Sequence, residues 1–293
     1  MAKTGENELS DICIVYDRVR WEEKELFEKA TKLGHTAKLI DGKTLSVSTH
    51  DGSVSNGFGD IVLQRCVSHY RGLYLTACFE FLDMKVINSY MVAEVCGNKL
   101  LTSLYLSKHN VPTPKTHFAF GPEVAADVAG KLGYPVVLKP IVGSWGRMVI
   151  PVKDKDVMES MIEMREEMPN PLSKIYYIQD YVERPPRDIR TIVVGDKVVT
   201  AIYRYSAEGE WRTNIARGGK AELCPITKEL EDICIKASKA VGGGVLGVDL
   251  MEDEKAGLLV HEVNNTVEFR GASSVSTKDI AAEIINYAAR MAR

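Results

Sequence analysis

The stretch GLLVHEVNNTVEF, Gly257 to Phe269, begins as an apolar run of strand type. It ends in side-chain oxygens, those of Glu262, Asn264, Asn265 and Glu268, with His261 beside them. His-Glu opens the zinc-protease helix signature, which needs a second His four residues after the first. Asn265 stands at that place, so a zinc site of that kind is excluded. As a strand, the segment puts Glu262 and Asn264 on one face. The run VLGVDLM, joined to it across the tight turn EDEKAG, brings Asp249 nearly opposite, with the register left open. Asp249, Glu262 and Asn264 then cluster hard oxygens of the kind that hold Mg²⁺ jointly with substrate phosphates. A sheet end whose carboxylates simply face water is the alternative.

Other segments offer matching chemistry. In VVLKPIVGSWGRMVI, Lys139 ends an apolar strand and Gly143-Ser144-Trp145-Gly146 form a loop. Backbone N–H groups of such a loop can cradle phosphates, with Lys139 adding a point charge; a plain hairpin loop is the alternative. The strand YYIQDYV reaches Asp180 and is followed by the charge-dense ERPPRDIR. Residues 184–220 hold eight Lys and Arg (184, 187, 190, 197, 204, 212, 217, 220) against four acids, a local +4 in a chain of net charge −3. That excess is a candidate anion site, and a solvated hairpin is its bland reading. Gly242-x-Gly244-x-x-Gly247 matches the dinucleotide fingerprint by letter, but it follows a helix and leads into a strand, the reverse of what that loop requires. A helix C-cap is the reading taken. A Walker A motif is absent, as is any Ser-His-Asp or Cys-His arrangement.

The elements that position these residues fall into three lobes. Strands DICIVYD, TAKLID, GDIVLQRC and KVINS alternate with helices WEEKELFEKATKLG and YLTACFEFLD, the pattern of a doubly wound parallel α/β sheet over residues 1–97. Helix GNKLLTSLYLSKHN and the prolines of VPTPKT open a strand-richer central lobe, 98–182. A C-terminal α+β lobe, 183–293, starts with a hairpin turning at Gly195-Asp196 and closes with a helix near 279–292. The chain has 293 residues, 45% hydrophobic and 26% charged, enough for two or three packed lobes. Its slight negative charge gives no reason to expect nucleic acid. Six Cys without paired spacing suit reduced core thiols. The polar opening lacks a signal-peptide core and no apolar run reaches about 18 residues, so a cytoplasmic protein without membrane contact is expected.

Taken in order, Lys99 in GNKLLTSLYL, VPTPKT, VVLKP with its Gly loop, IQDYV, RDIR, AIYR, NIARGG, GVDL and HEVN resemble the ATP-grasp superfamily of carboxylate–amine ligases. GSWGR, NIARGGKAELCP, HEVNNTVEF and RGLYLTACFEFLDMKVINS narrow the likeness to ligases of the LysX/ArgX type, with the RimK glutamate ligases next. The resemblance implies an ATP-grasp fold, with an N-terminal α/β lobe ahead of the central and C-terminal lobes that hold ATP between them. Lys99, Lys139 and the loop Gly143 to Gly146 would meet the nucleotide. Gln179, Asp180, Tyr181 and Val182 would pair with adenine, partly through backbone, and Asp188 would lie near ribose. Asp180 is a departure, because family members often carry Glu there; the side-chain contact is what it puts in question. Asp249, Glu262 and Asn264 would hold Mg²⁺, two ions being expected, and Arg190, Arg204 and Asn214 would face the reacting phosphoryl group. The incoming amino acid would meet Asn265, Thr266, Glu268, Phe269 and Arg270. The implied reaction makes an amide, through an acyl phosphate, between the C-terminal glutamate of a small acidic amino-group carrier protein (LysW-like) and a free dicarboxylic amino acid, 2-aminoadipate or glutamate. The basic 184–220 segment suits such a partner, and a homo-oligomer is expected. A RimK-type glutamate ligase and a non-catalytic ATP-binding module are the alternatives.

Overall fold

The computed structural model describes residues 9–55, 57–143, 146–206 and 220–293. Its first lobe runs β1 (Asp11–Tyr16), α1 (Trp21–Lys32), β2 (Thr36–Asp41), β3 (Ile61–Gln64), α2 (His69–Phe81), β4 (Val86–Ile87) and α3 (Tyr90–Gly97). The strands form one parallel sheet in the order β2-β1-β3-β4. Helix α1 starts where its charges dictate. Glu22 and Glu23 lie in the first turn, Lys29 and Lys32 in the last, and Glu23 accepts from the backbone N–H of the capping Arg20 at 2.8 Å. Next come α4 (Lys99–Lys108), β5 (Thr116–Ala119), α5 (Pro122–Leu132), β6 (Val136–Lys139), β7 (Ile150–Val152), α6 (Lys155–Glu166) and β8 (Tyr176–Asp180). The strands of this second group pair antiparallel as β5-β8-β6-β7. The remainder comprises β9 (Arg187–Val194), β10 (Lys197–Tyr205), β11 (Lys220–Leu223), α7 (Lys228–Val241), β12 (Val245–Asp253), β13 (Gly257–Asn264), α8 (Arg270–Ser273) and α9 (Ile280–Ala292). Its five-stranded antiparallel sheet has the order β11-β10-β9-β12-β13. Gly242 caps α7 in the left-handed region at φ 111°, so the glycine motif is a helix stop and not a nucleotide loop.

The cores show how the lobes join. Ala119, Val136, Leu138, Met158 and Ile178 give the central lobe a core of its own. One face of the C-terminal sheet packs under α7 through Val193, Leu246 and Val248, and this core also takes Leu106 of α4 and Val92 of α3. Helix α4, which the sequence places at the opening of the central lobe, is therefore built into the C-terminal packing. The opposite face of the same sheet contributes Ile192, Val194, Ile202 and Val245 to a core shared with Ile12, Ile14 and Leu26 of the first lobe and Ile284 of α9. The first lobe and the C-terminal sheet are thus parts of one apolar interior. All six cysteines are free thiols, four of them buried. No helix among the described residues is long and apolar enough to cross a membrane.

Candidate active site

The sheet face that meets the first lobe changes character along its length. Strand alternation puts Asp188, Arg190, Ile192 and Val194 of β9 on one side. The last two enter the shared core, and the first two emerge beyond it in a cleft. The register fixes their neighbours: Arg204 of β10 is opposite Asp188, and Arg190 is opposite Asp249 of β12, which is in turn opposite Glu262 of β13. Asp249, Glu262 and Asn264 do come together, with the Asn264 amide nitrogen 3.4 Å from Asp249. Arg190 grips both oxygens of Asp249, one of them from Nη2 at 2.6 Å. Arg204 makes a two-pronged pair with Asp188 at 2.7 Å on each arm and reaches Asp249 at 3.1 Å. Burial pushes the Asp249 carboxyl up, but Arg190 and Arg204 outweigh it and hold the group far below the usual carboxylate range. Glu262 behaves alike: burial raises it, and Lys99 more than offsets that.

A β-bulge between Asp249 and Leu250 adds a residue on β13. The chain passes from inward-facing Val260 to inward-facing Val263 with two residues between, so His261 and Glu262 both line the cleft. Burial, followed by the nearby Lys139 charge, pulls the His261 imidazole down to about 4. Its buried Nε2 has no hydrogen-bond partner among the described residues.

Two lysines close the other wall. Lys99, the first residue of α4, donates to Glu262 at 2.9 Å and to the Gly143 carbonyl at 2.7 Å, tying the glycine loop to the carboxylate cluster. Lys139, at the end of β6, is only 5% exposed and donates to the Gln179 side chain at 2.7 Å. Gln179 is fixed in turn by Tyr177 and Thr116, at 3.0 and 2.9 Å. Burial lowers the Lys139 ammonium to about 8. The chain leaves the sheet after Asp180, and Asp180, Tyr181 and Val182 all line the cleft. Ser144, Trp145 and Asn214 lie outside the described residues.

The segment expected to meet the amino acid divides in two. Asn265, Thr266, Glu268 and Arg270 line the cleft. Phe269 does not: it is fully buried in the shared core, packed edge-on against Trp21 with ring centroids 5.5 Å apart. Its expected substrate role is corrected, because the turn into α8 aims the ring inward. Glu268 is engaged by Arg20 at 3.1 Å, and the Arg270 N–H donates to Glu22 at 3.2 Å. Arg20-Trp21-Glu22 of the first lobe therefore meets Glu268-Phe269-Arg270 residue for residue. Asn88, also of the first lobe, donates to the Asn265 and Val245 carbonyls, both at 2.8 Å. None of these first-lobe residues is expected at a site from the sequence motifs. The signal was present in RVRW directly after β1, since ligands in doubly wound sheets bind beyond the carboxyl ends of the strands.

The basic segment is less open than its composition suggests. Arg187 is bound by Glu252 at 2.7 Å and stacks on Tyr203 at 3.9 Å, Lys197 pairs with Glu283 and Lys220 with Glu222, both at 2.6 Å. Arg212 and Arg217 lie outside the described residues. The cleft itself measures about 1240 Å³ and is walled by all three lobes, larger than one small-molecule site needs. Among the described residues no three His, Cys, Asp or Glu side chains group as a closed metal site. Two carboxylates and an amide fit Mg²⁺, an ion that binds through one or two carboxylates and completes its shell with phosphate oxygens and water.

A three-lobe cleft of this kind, with lysines on the central wall and paired acids and arginines on the C-terminal sheet, defines an ATP-grasp ligase. Residues 96–288 match the RimK-like ATP-grasp domain and residues 12–95 the LysX preATP-grasp domain, and the chain belongs to the RimK-like ATP-grasp family. It is a carboxylate–amine ligase, of a family that uses ATP with Mg²⁺. It is 40% identical to the alpha-aminoadipate–LysW ligase LysX of Sulfurisphaera tokodaii, over 93% of this chain and 95% of that protein. It is 31% identical to the glutamate–LysW ligase ArgX of Sulfolobus acidocaldarius, over 94% and 97%. A RimK domain ATP-grasp protein from Sphaerobacter thermophilus superposes with a TM-score of 0.79 at 24% identity, covering 95% of this chain and 99% of its own.

Proposed function

We propose that the chain joins the α-amine of 2-aminoadipate or glutamate to the C-terminal glutamate of a small acidic carrier protein of the LysW kind, in lysine or arginine biosynthesis. The observation that carries this reading is the ionic end of the C-terminal sheet, where Arg190, Asp249 and Glu262 stand in one cross-strand row beside the Arg204–Asp188 pair. The names of the LysX and ArgX relatives support the choice of carrier and amino acid. The γ-phosphoryl group of ATP would pass to the carrier carboxylate and leave ADP, the amine would then displace phosphate as the amide forms, and Mg²⁺ would supply neutralisation of the phosphate charge.

The chain's own residues hold, orient and neutralise. Asp249, Glu262 and Asn264 would hold Mg²⁺, with room for two ions on their combined oxygens. Lys139 and Lys99 would turn from Gln179 and Glu262 toward phosphate, and Tyr181 and Val182 would meet the base where the chain leaves the sheet. Arg190 and Arg204, with Asn214, would face the charge that builds on the transferred group. Fixed cations in a water-poor cleft are worth most there, because they need no reorganisation as the charge develops. His261, neutral near pH 7, lies at the same wall and adds no charge. Asn265 and Thr266, held from behind by Asn88, would orient the amino acid so that its amine approaches the activated carbonyl.

The test is ADP release by the purified protein. Release is expected only with Mg²⁺-ATP, a carrier ending in glutamate and a dicarboxylic amino acid together. Release with a ribosomal-protein tail and glutamate, but not with the carrier, would instead assign a RimK-type substrate.

A further inference from the structure

Helix α2 leaves one apolar face to solvent. Tyr70, Tyr74 and Phe81 are 48, 60 and 61% exposed, while Gly72, Leu73, Thr76 and Phe79 turn inward. One exposed aromatic is ordinary, but three along a single helical stripe make a patch, and patches mark contacts. With Ala77 they occupy positions 70, 74, 77 and 81, steps of four, three and four that place them on one seam of the helix, and no charged residue stands in it. Tyr70 and Tyr74 stack on each other, with centroids 6.3 Å apart and planes at 18°. The adjoining α3 is tied to the end of α2 where the Tyr90 N–H donates to Glu80 at 2.7 Å, and it adds Met91, 51% exposed, to the same side of the lobe's exposed apolar surface.

The spacing reads the same in both directions. A second copy of α2 laid antiparallel, about a twofold axis between positions 75 and 76, sets Tyr70 of each copy against Phe81 of the other and Tyr74 of each against Ala77 of the other. Large then meets small at the centre, knob into hole, and ring meets ring at both ends. A twofold dimer requires a surface that is complementary to itself in this way. The area agrees. Aromatic side chains carry roughly 150–250 Å² each, so these three, about half exposed, offer on the order of 300 Å² before Met91 is counted. One partner of a standard interface gives about 800 Å², about 65% of it apolar in homodimers, so the stripe supplies more than half of what is needed. An acidic carrier suits this face poorly. Glu80 and Glu94 flank it, and Arg71 beside the stripe is already held by Asp17 at 2.7 Å. We propose that α2 is the seam of a homodimer, packed antiparallel against the α2 of a second copy of this chain.

Sedimentation of the full chain is the test. The parent protein should run at twice the mass of one chain at micromolar concentration. Tyr74→Glu puts a carboxylate on both sides of the axis and should raise the dimer dissociation constant at least about 100-fold, because each dimer carries the change twice. Adding Ala77→Lys to that variant sets opposite charges across the axis and should recover part of the dimer. Phe120→Glu, on the central lobe and 73% exposed, should leave the mass as it is. Circular dichroism should be the same throughout, since every substituted position lies at the surface. A tetramer that Tyr74→Glu halves would support the seam equally, as a pair of such dimers. A monomeric parent, a dimer indifferent to Tyr74→Glu, or one weakened as much by Phe120→Glu would overturn it. If a monomeric parent gains mass only with the carrier, and Tyr74→Glu prevents that, the face belongs to the carrier and the homodimer falls.

Discussion

Two parts of the cleft wall handle charge in opposite ways. Along the C-terminal sheet and the lysine wall the charged groups are matched within the protein: Arg190 with Asp249, Arg204 with Asp188, Lys99 with Glu262, and Lys139 with Gln179. Elsewhere on the cleft wall the Arg18 and Arg270 side chains have no hydrogen-bond or ion-pair partner among the described residues. The difference follows from burial. Asp249, Asp188, Arg204 and Lys139 are almost inaccessible, and an isolated charge there would be prohibitively unfavourable, so each needs a neighbour before any ligand arrives. Arg18 and Arg270 keep their hydration and can wait. On the proposed reading, a ligand at the buried groups would exchange partners with them, and an anion at the exposed arginines would be a simple gain.

That contrast sets the expected sizes of three substitutions. Glu262→Gln keeps the shape but removes the charge proposed to face the metal and leaves Lys99 without its acid. ADP release at fixed Mg²⁺ should fall by at least about 100-fold with the fold retained by circular dichroism. Near-normal turnover would remove Glu262 from the metal set. Lys139→Met keeps the apolar stem and should weaken nucleotide binding by about 1–3 kcal/mol in calorimetry. A pH series adds to it. Since burial places the Lys139 group at about 8, its attraction for phosphate is complete below that pH and is lost as pH rises through it. Parent affinity should therefore decline across that range while Lys139→Met stays flat; parallel slopes would mean another group titrates. The smallest effect is expected from Glu268→Gln, which breaks the cross-lobe pair with Arg20. Glu268 is 43% exposed, so solvent screening limits the loss to about 1 kcal/mol or less, read as a few-fold rise in KM for the amino acid. An unchanged KM would show that the aromatic and backbone contacts alone hold the loop.

Much of this arrangement is legible in the residues. The strand alternation that pairs Glu262 with Asn264, the Gly195-Asp196 turn and the Gly242 helix stop all rest on local rules, and the structure follows them. What escapes is of three kinds. Helix α3 has eight residues, barely two turns, too few to show a period. The bulge that turns His261 to the cleft is a one-residue insertion, invisible to alternation, which would send His261 to the opposite face from Glu262. Contacts between distant segments leave no local trace at all. Phe269 sits a few residues past the Glu262–Asn264 cluster in sequence, and proximity suggested substrate; its packing partner Trp21 is 248 positions away. The charge excess of 184–220 is partly offset for the same reason, since Glu252 and Glu283, which pair with Arg187 and Lys197, lie outside the counted window, while Arg190 and Arg204 do face the cleft.

The meeting of Arg20-Trp21-Glu22 with Glu268-Phe269-Arg270 bears on how such enzymes can be recombined. The chain looks modular, with a first lobe and an ATP-grasp body that match separate domain families. Yet a chimaera made by exchanging the first lobe at that boundary would split one tripeptide from the other, and with it the contact that frames the cleft between α1 and α8. If the amino acid binds beside that contact, as proposed, a new substrate preference would travel only when both short segments, at opposite ends of the chain, are transplanted together.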